Sequence, residues 1–262
     1  MKYSKLVIFK KILDCKKRLI QLHHHSNSGH IGSNLSCLDA LVVLHHSVML
    51  DNDRFILSKG HSAGALYITL WSLGRITDDQ LDSFSKDDSF FPGHPSGTGI
   101  PGLLFPTGSL GHGPSISAGL ALASKTQNLD RKIYCLCSDG EWQEGSCWEA
   151  LIFSVHNKLS NLTILIDQNG LQGFGTTEEV ISCSDLTARI SSFGVPVLKC
   201  NGHDPGQIYD ALASPNEDLP KIIILQTCKG NGTLFENKLE SHYLPFSSEN
   251  YNFSLSNLEP VL

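Results

Sequence analysis

Long apolar runs are missing from this chain of 262 residues: none reaches the roughly 18 residues that a membrane-spanning helix needs. Positive charge is also in short supply. Lys and Arg total 20 against 26 Asp and Glu, a net charge of −6, so the basic footprint of a nucleic-acid binder is absent. The opening segment MKYSKLVIFKKILDCKKRL carries lysines throughout and has no apolar core ending in a small-residue cleavage site, so it does not read as a signal peptide. Those lysines are helix-spaced and read as one solvated face. Eight cysteines make no Cys-x-x-Cys pair, and Cys135 and Cys137 alternate inside an apolar run. All eight read as reduced and structural, in a cytoplasmic protein. No repeat or low-complexity segment occurs, and no Gly-x-Gly-x-x-Gly follows the first strand candidate, which excludes a nicotinamide-binding Rossmann enzyme.

What is present is a globular composition, 40% hydrophobic, in a chain long enough for a sizeable core. Residues 4–25 have helical periodicity, with Leu6, Ile12, Leu13, Leu19, Ile20 and Leu22 on the apolar side. A loop, SNSGHIGSN, precedes a buried helix expected to be capped by Ser36. RFILS reads as a strand, and GHSAGALYITLWSLG as a helix that Gly74 closes. A Gly- and Pro-rich stretch from Ser89 to Pro114 follows, and so long a loop is usually functional. Helices at 115–126, 144–158, 185–192 and 205–214 then alternate with strands at 132–137, 162–167, 195–199 and 221–226. The expected fold is α/β, a parallel sheet covered by helices on both faces. Residues 1–245 read as one domain, and 246–262, polar and without periodicity, as a C-terminal tail.

The chemistry is concentrated where strands end. Asp139 follows KIYCLC, and Asn169, thirty residues on, follows the run NLTILI. Ligands of open parallel sheets bind beyond the carboxyl ends of strands. A carboxylate and a carboxamide there make a hard-oxygen set suited to Mg²⁺ or Ca²⁺, and Mg²⁺ typically keeps phosphate oxygens as further ligands. GEWQEG after Asp139 opens a helix whose amides could receive a phosphate. By themselves, Asp-Gly and Asn-Gly after a strand are also ordinary turn dipeptides.

Several ordered motifs carry a broader signal: SGHIG, ILSKGHSAGALY, FPGHP, TGSLGHG, SDGEWQEG, DQNG, then KGNG with a later SH. From about residue 22 to residue 242 the chain resembles the transketolase family, in its thiamine-diphosphate-binding N-terminal half. The resemblance implies a thiamine diphosphate cofactor with Mg²⁺ or Ca²⁺, the metal held by Asp139, Asn169 and the backbone carbonyl of Leu171. It implies cofactor contacts at Ser33, His61, Gly108, Ser109, Leu110, Gly140, Glu141, Lys229 and His242. Four of the twelve histidines, His30, His61, His94 and His242, match the family's active-site positions, where imidazoles can move protons on a polyhydroxylated substrate. Glu144, counted with the catalytic set, and Glu149 match acids of an interface network, though a solvated helix face is the plain alternative. Lys59 and His112 remain open, and the run His23-His24-His25 reads as structural.

The chain departs from the family pattern at Ser138 for a glycine, Gly173 for an aliphatic residue, Phe174 for an acid and Ser241 for an aromatic. Serine fits at 138 only in a β conformation. The family's chemistry also needs a glutamate on a pyrimidine-binding domain, which this chain does not contain. The resemblance therefore implies a partner chain, the C-terminal transketolase subunit, together with self-association into a heterotetramer and sugar or sugar-phosphate substrates. The implied activity is transfer of a two-carbon ketol unit from a ketose to an aldehyde. The alternatives are the alpha subunit of another thiamine-diphosphate carboligase or 2-oxo acid dehydrogenase, and a non-catalytic module of the same fold.

Overall fold

Five short runs rich in branched apolar residues form the frame. In a computed structural model, which describes residues 4–96, 99–100, 102–182, 185–216 and 218–258, they are strands β1 (Arg54–Leu57), β2 (Ile133–Ser138), β3 (Leu162–Gln168), β4 (Val197–Asn201) and β5 (Lys221–Gln226). They make one parallel sheet in the order β1-β2-β3-β5-β4. β2 is buried along its whole length and β5 up to its last residue, which is why both read as continuous apolar runs rather than alternating ones.

Helices cover both faces. In chain order they are α1 (Lys5–Ser26), α2 (Ile31–Val43), α3 (Ala63–Ser72), α4 (Asp78–Asp82), α5 (Gly113–Thr126), α6 (Gly145–His156), α7 (Thr177–Ile181), α8 (Leu186–Ser191), α9 (Pro205–Ala213), α10 (Glu240–Tyr243) and α11 (Ser248–Asn257). On one face α1, α2, α3 and α9 pack on Leu57, Leu136, Leu165 and Ile223. On the other, α5, α6 and α8 pack on Ile133, Cys135, Ile164 and Ile224. Each such buried side chain contributes about 1.5–3 kcal/mol of transfer free energy. No helix among the described residues is long and apolar enough to cross a membrane.

Four local expectations need correcting. The second helix begins at Ile31, not after Ser36, because His30 turns the chain through a left-handed conformation (φ 65°). Ser36 is buried inside that helix and donates to the Ser33 carbonyl. Lys16 is not solvated: it pairs with Asp39 of α2 at 2.9 Å. Leu6 lies largely exposed, outside the apolar stripe. Residues 248–257 are helical rather than a tail: Ser247 caps α11 by accepting from Asn250 N–H, and Tyr251 stacks on His24 with ring centroids 4.4 Å apart. Only every third or fourth residue of that helix reaches the core, so its polar composition hides it. Seven cysteines are free, and the eighth, Cys183, lies outside the described residues.

Candidate active site

The carboxyl ends of β1, β2, β3 and β5 are neighbours, and the segments leaving them build one cavity. It encloses about 820 Å³ and opens to solvent. β1 runs into Ser58-Lys59-Gly60-His61, β2 into Asp139-Gly140, β3 into Asn169-Gly170-Leu171, and β5 into Cys228-Lys229. His30, His94 and His242 arrive from loops and from α10, and Gly108 and Leu110 from the long loop.

Asp139 and Asn169 meet as the hard-oxygen reading requires. Asp139 Oδ2 accepts from Gly170 N–H at 2.7 Å, so the carboxylate lies against the backbone next to Asn169. Asn169 Oδ1 accepts from Leu171 N–H at 3.1 Å, and the Leu171 carbonyl accepts from Lys229 Nζ at 2.9 Å. Burial pushes the Asp139 carboxyl up to about 6, with the Asp167 carboxylate adding to the rise, so the carboxylate lacks positive charge nearby. Among the described residues no three His, Cys, Asp or Glu side chains converge, so a soft or zinc-type centre is absent there. A carboxylate, a carboxamide and a peptide carbonyl fit a hard divalent cation that takes its remaining ligands from a diphosphate.

Ser138 is the last residue of β2 and stays in the extended conformation, so serine is accommodated where the family has glycine. Its N–H and hydroxyl both donate to Glu141 Oε1, at 2.9 and 3.2 Å. Glu141 is fully buried, and its other oxygen accepts from Ser58 Oγ and from Gly111 N–H. Glu141 therefore does not face the cavity. It ties the ends of β1 and β2 to the loop before α5.

Four histidines surround one volume. The His30 ring lies 5.2 Å from that of His94, 4.7 Å from His242 and 5.8 Å from His61. The left-handed turn at His30 aims its side chain inward, where Nδ1 is buried without a hydrogen-bond partner. Burial lowers all four, His30 to about 4 and His242 to about 3, with His61 and His94 also below the ordinary imidazole range. All are therefore neutral at pH 7 and able to accept or donate a proton. Lys229 Nζ lies 3.2 Å from His242 Nδ1. An ammonium can only donate, so the proton of the neutral His242 ring sits on Nε2.

Not every expected residue reaches the cavity. Ser33 is buried in α2 beneath it, its carbonyl taken by Ser62 Oγ at 2.8 Å and Lys59 Nζ at 3.2 Å. Ser109 and His112 line a separate depression with Pro95 and Thr107. Glu144 is the exposed N-cap residue of α6, and Glu149 is exposed on the same helix, because that turn points away from the strand ends. Phe174, 87% exposed, stands at the rim. His23, His24 and His25 lie outside the cavity lining.

The central residue that sequence reasoning misses is Asp167, fully buried in β3. It pairs with Lys59, itself without exposed surface, and accepts from Ser36, Thr227 and Asn169. Burial pushes Lys59 down and Asp167 up, but each charge offsets this for the other, so Lys59 ends raised and Asp167 lowered. Lys59 is thus a girder under the site. The signal is there in the sequence: an Asp inside the otherwise apolar LTILIDQ needs a buried partner.

Fold and site together define a thiamine-diphosphate-type α/β domain, with its ligand groups on strand ends and its histidines above them. Comparison with known proteins carries this further. The family described as transketolase, thiamine diphosphate binding domain, matches residues 16–255, and the chain belongs to it. It is a transketolase-type transferase component. One of the two subunits of apulose-4-phosphate transketolase from Phocaeicola vulgatus is 38% identical over 231 residues, 84% of this chain and 82% of the relative. The protein of the same name from Actinobacillus succinogenes is 36% identical, with 95% of each chain covered. A 6-deoxy-6-sulfo-D-fructose transketolase subunit from Clostridium is 33% identical, covering 88% of this chain and 88% of that one. Transketolase from Leishmania mexicana superposes with a TM-score of 0.88 at 27% identity, and that from Campylobacter jejuni with 0.87 at 29%. The chain is covered to 98% and 97% in these superpositions but spans only 41% and 43% of those longer proteins.

Proposed function

We propose that this chain is the diphosphate- and Mg²⁺-binding subunit of a two-subunit transketolase that moves a two-carbon ketol unit from a ketose to an aldehyde. The carrying observation is the single cavity in which four neutral histidines face the Asp139, Asn169 and Leu171 oxygens. Asp139, Asn169 and the Leu171 carbonyl hold the metal, with Ca²⁺ as the other hard cation of suitable chemistry. Gly140 N–H and Lys229 face the diphosphate, and Gly108 and Leu110 line its loop. Thiamine diphosphate, when bound, supplies the electron sink for cleaving and forming the carbon–carbon bond. The protein's own share is positioning and proton movement. His61 and His242 lie nearest the metal loop and exchange protons with the reacting hydroxyl and carbonyl, while His30 and His94 bind the substrate's hydroxyls.

The similar proteins named as subunits are matched almost end to end, which supports a separate partner chain carrying the pyrimidine-binding domain. A cytoplasmic heterotetramer, with sites at the interfaces between chains, follows from the same reading. Glu144 and Glu149, exposed on one helix, are placed to join an interface network. Two relatives' names specify a phosphorylated and a sulfonated sugar, which favours a ketose with an anionic end as the substrate class. Four clustered imidazoles are the feature that favours sugar transfer over a 2-oxo acid dehydrogenase component.

The decisive experiment is a ketol-transfer assay with thiamine diphosphate and Mg²⁺ on this chain alone and mixed with a C-terminal transketolase subunit from the same genome. Activity in the mixture alone is expected. Cofactor binding without turnover of any ketose tried would overturn the catalytic reading.

A further inference from the structure

Gly173 and Tyr243 are 70 residues apart and meet at the mouth of the cavity, where the Tyr243 hydroxyl donates to the Gly173 carbonyl at 2.6 Å. A Cβ on Gly173 would stand 2.7 Å from that hydroxyl and 3.3 Å from His242 Nε2. Gly173 does not have a left-handed backbone, so conformation does not demand glycine there. What demands it is room for Tyr243. The opposite side is equally close: a Cβ on Gly29 would lie 2.9 Å from the Tyr243 carbonyl oxygen. His30 N–H also donates to the His242 carbonyl at 3.0 Å. Residues 242–243 are thus held between the Gly29–His30 turn and the tip of the 171–176 loop. That loop is closed by the Leu171–Thr176 bridge and by Gln172 N–H donating to the Gly175 carbonyl at 2.8 Å.

We propose that Tyr243 is a positioning residue. Its hydroxyl latches α10 to the loop carrying Leu171, and so sets the His242 imidazole and the Leu171 carbonyl in a fixed relation across the cavity mouth. This deepens the proposed function and rests on it, since the loop matters for catalysis only if Leu171 serves the metal. α10 has four residues, too few for a helix to hold itself, and must be fixed by its contacts. Lys229 joins the same two parts from below, contacting the Leu171 carbonyl oxygen and His242 Nδ1. Tyr243 joins them at the rim, its ring edge-on to His242 with centroids 4.8 Å apart. Gly173 and Tyr243 are therefore a matched pair: the tyrosine fills space that a side chain at 173 would take.

The test is a double-mutant cycle on the complex with the C-terminal partner chain, titrating thiamine diphosphate calorimetrically at saturating Mg²⁺. Tyr243→Phe should weaken cofactor binding about fivefold, the scale of one neutral hydrogen bond, and should lower kcat more than it raises the sugar KM. Gly173→Ala should weaken binding further, because the new methyl displaces the hydroxyl. In the Tyr243→Phe background, where no hydroxyl remains to displace, Gly173→Ala should add less than about twofold. Equal penalties for Gly173→Ala in both backgrounds, or parental affinity in Tyr243→Phe, would overturn the latch. Amide hydrogen exchange on the cofactor-free chain gives a second readout. Tyr243→Phe should speed exchange in 171–175 and 240–244 together, and unchanged rates in either segment would refute the proposal. A parent complex that bound no thiamine diphosphate would sink the proposed function instead, while the exchange data would still decide the latch.

Discussion

The ammonium of Lys229 donates to the backbone carbonyl of Leu171 across 2.9 Å, deep enough that the lysine is almost wholly buried. Burial, then repulsion from Lys59, lowers its pKa to about 8, so it stays charged at neutral pH. A buried positive charge beside a proposed phosphate site has one clear use. Lys229→Met should weaken thiamine diphosphate binding about tenfold or more, the value of one charge-assisted hydrogen bond. Calorimetry on the complex checks this, and an affinity within about twofold of the parent, less than one such bond is worth, would remove Lys229 from the site.

Asp139 is the group on which the metal reading stands. Asp139→Ala should abolish Mg²⁺-dependent cofactor binding while leaving the fold, since the carboxylate lies at the end of β2 and its only described partners are two backbone amides. Circular dichroism should be unchanged while the binding isotherm goes flat. Unaltered cofactor affinity would refute the metal assignment.

The Lys59–Asp167 pair predicts a stability effect separate from chemistry. Asp167→Asn leaves a buried ammonium without its counter-charge, and breaking a buried pair costs about 3–5 kcal/mol. Urea denaturation of the isolated chain should show that loss. The double substitution Lys59→Met/Asp167→Leu should recover much of it, because no charge is then stranded. A single variant as stable as the parent would show that the pair is dispensable.

Acid should destabilise the chain, with a sign that follows from its buried histidines. Burial lowers His23 to about 4 and His45 to about 3, while an unfolded chain binds those protons near the ordinary value of 6.5. Their stabilising effect is complete above pH 6.5 and is lost as pH falls toward their folded values. Each contributes a slope of about 1.4 kcal/mol per pH unit in that window. His45→Gln should flatten the decline between pH 6.5 and 4. An unchanged slope would mean that His45 titrates normally in the folded chain.

Legibility in the sequence differs residue by residue. The histidine motifs and the Asp139/Asn169 spacing can be read because each is local: a few residues at a strand end or in a glycine-bearing loop. Glu141 and Glu144, three residues apart, cannot be told from one another, and the structure turns one inward to four donors and leaves the other in water. Asp167 escapes notice because its strand reads as apolar, and only its partners from α2 and from the ends of β1 and β5 explain a carboxylate there. Helix α11 is concealed because its polar residues mask a narrow buried stripe.

The sequence by itself determined the alternation of strands and helices, the polar groups placed at strand ends, and the histidines set in glycine-bearing loops, because periodicity and turn chemistry are encoded over short windows. The tertiary structure decided which strand ends are neighbours. β5 inserts between β3 and β4, and that single choice brings Lys229 to Leu171 and Thr227 to Asp167. It also decided that Gly173 must stay bare to admit Tyr243. Such pairings arise from through-space packing between segments tens of residues apart, and no local pattern in the chain carries that information.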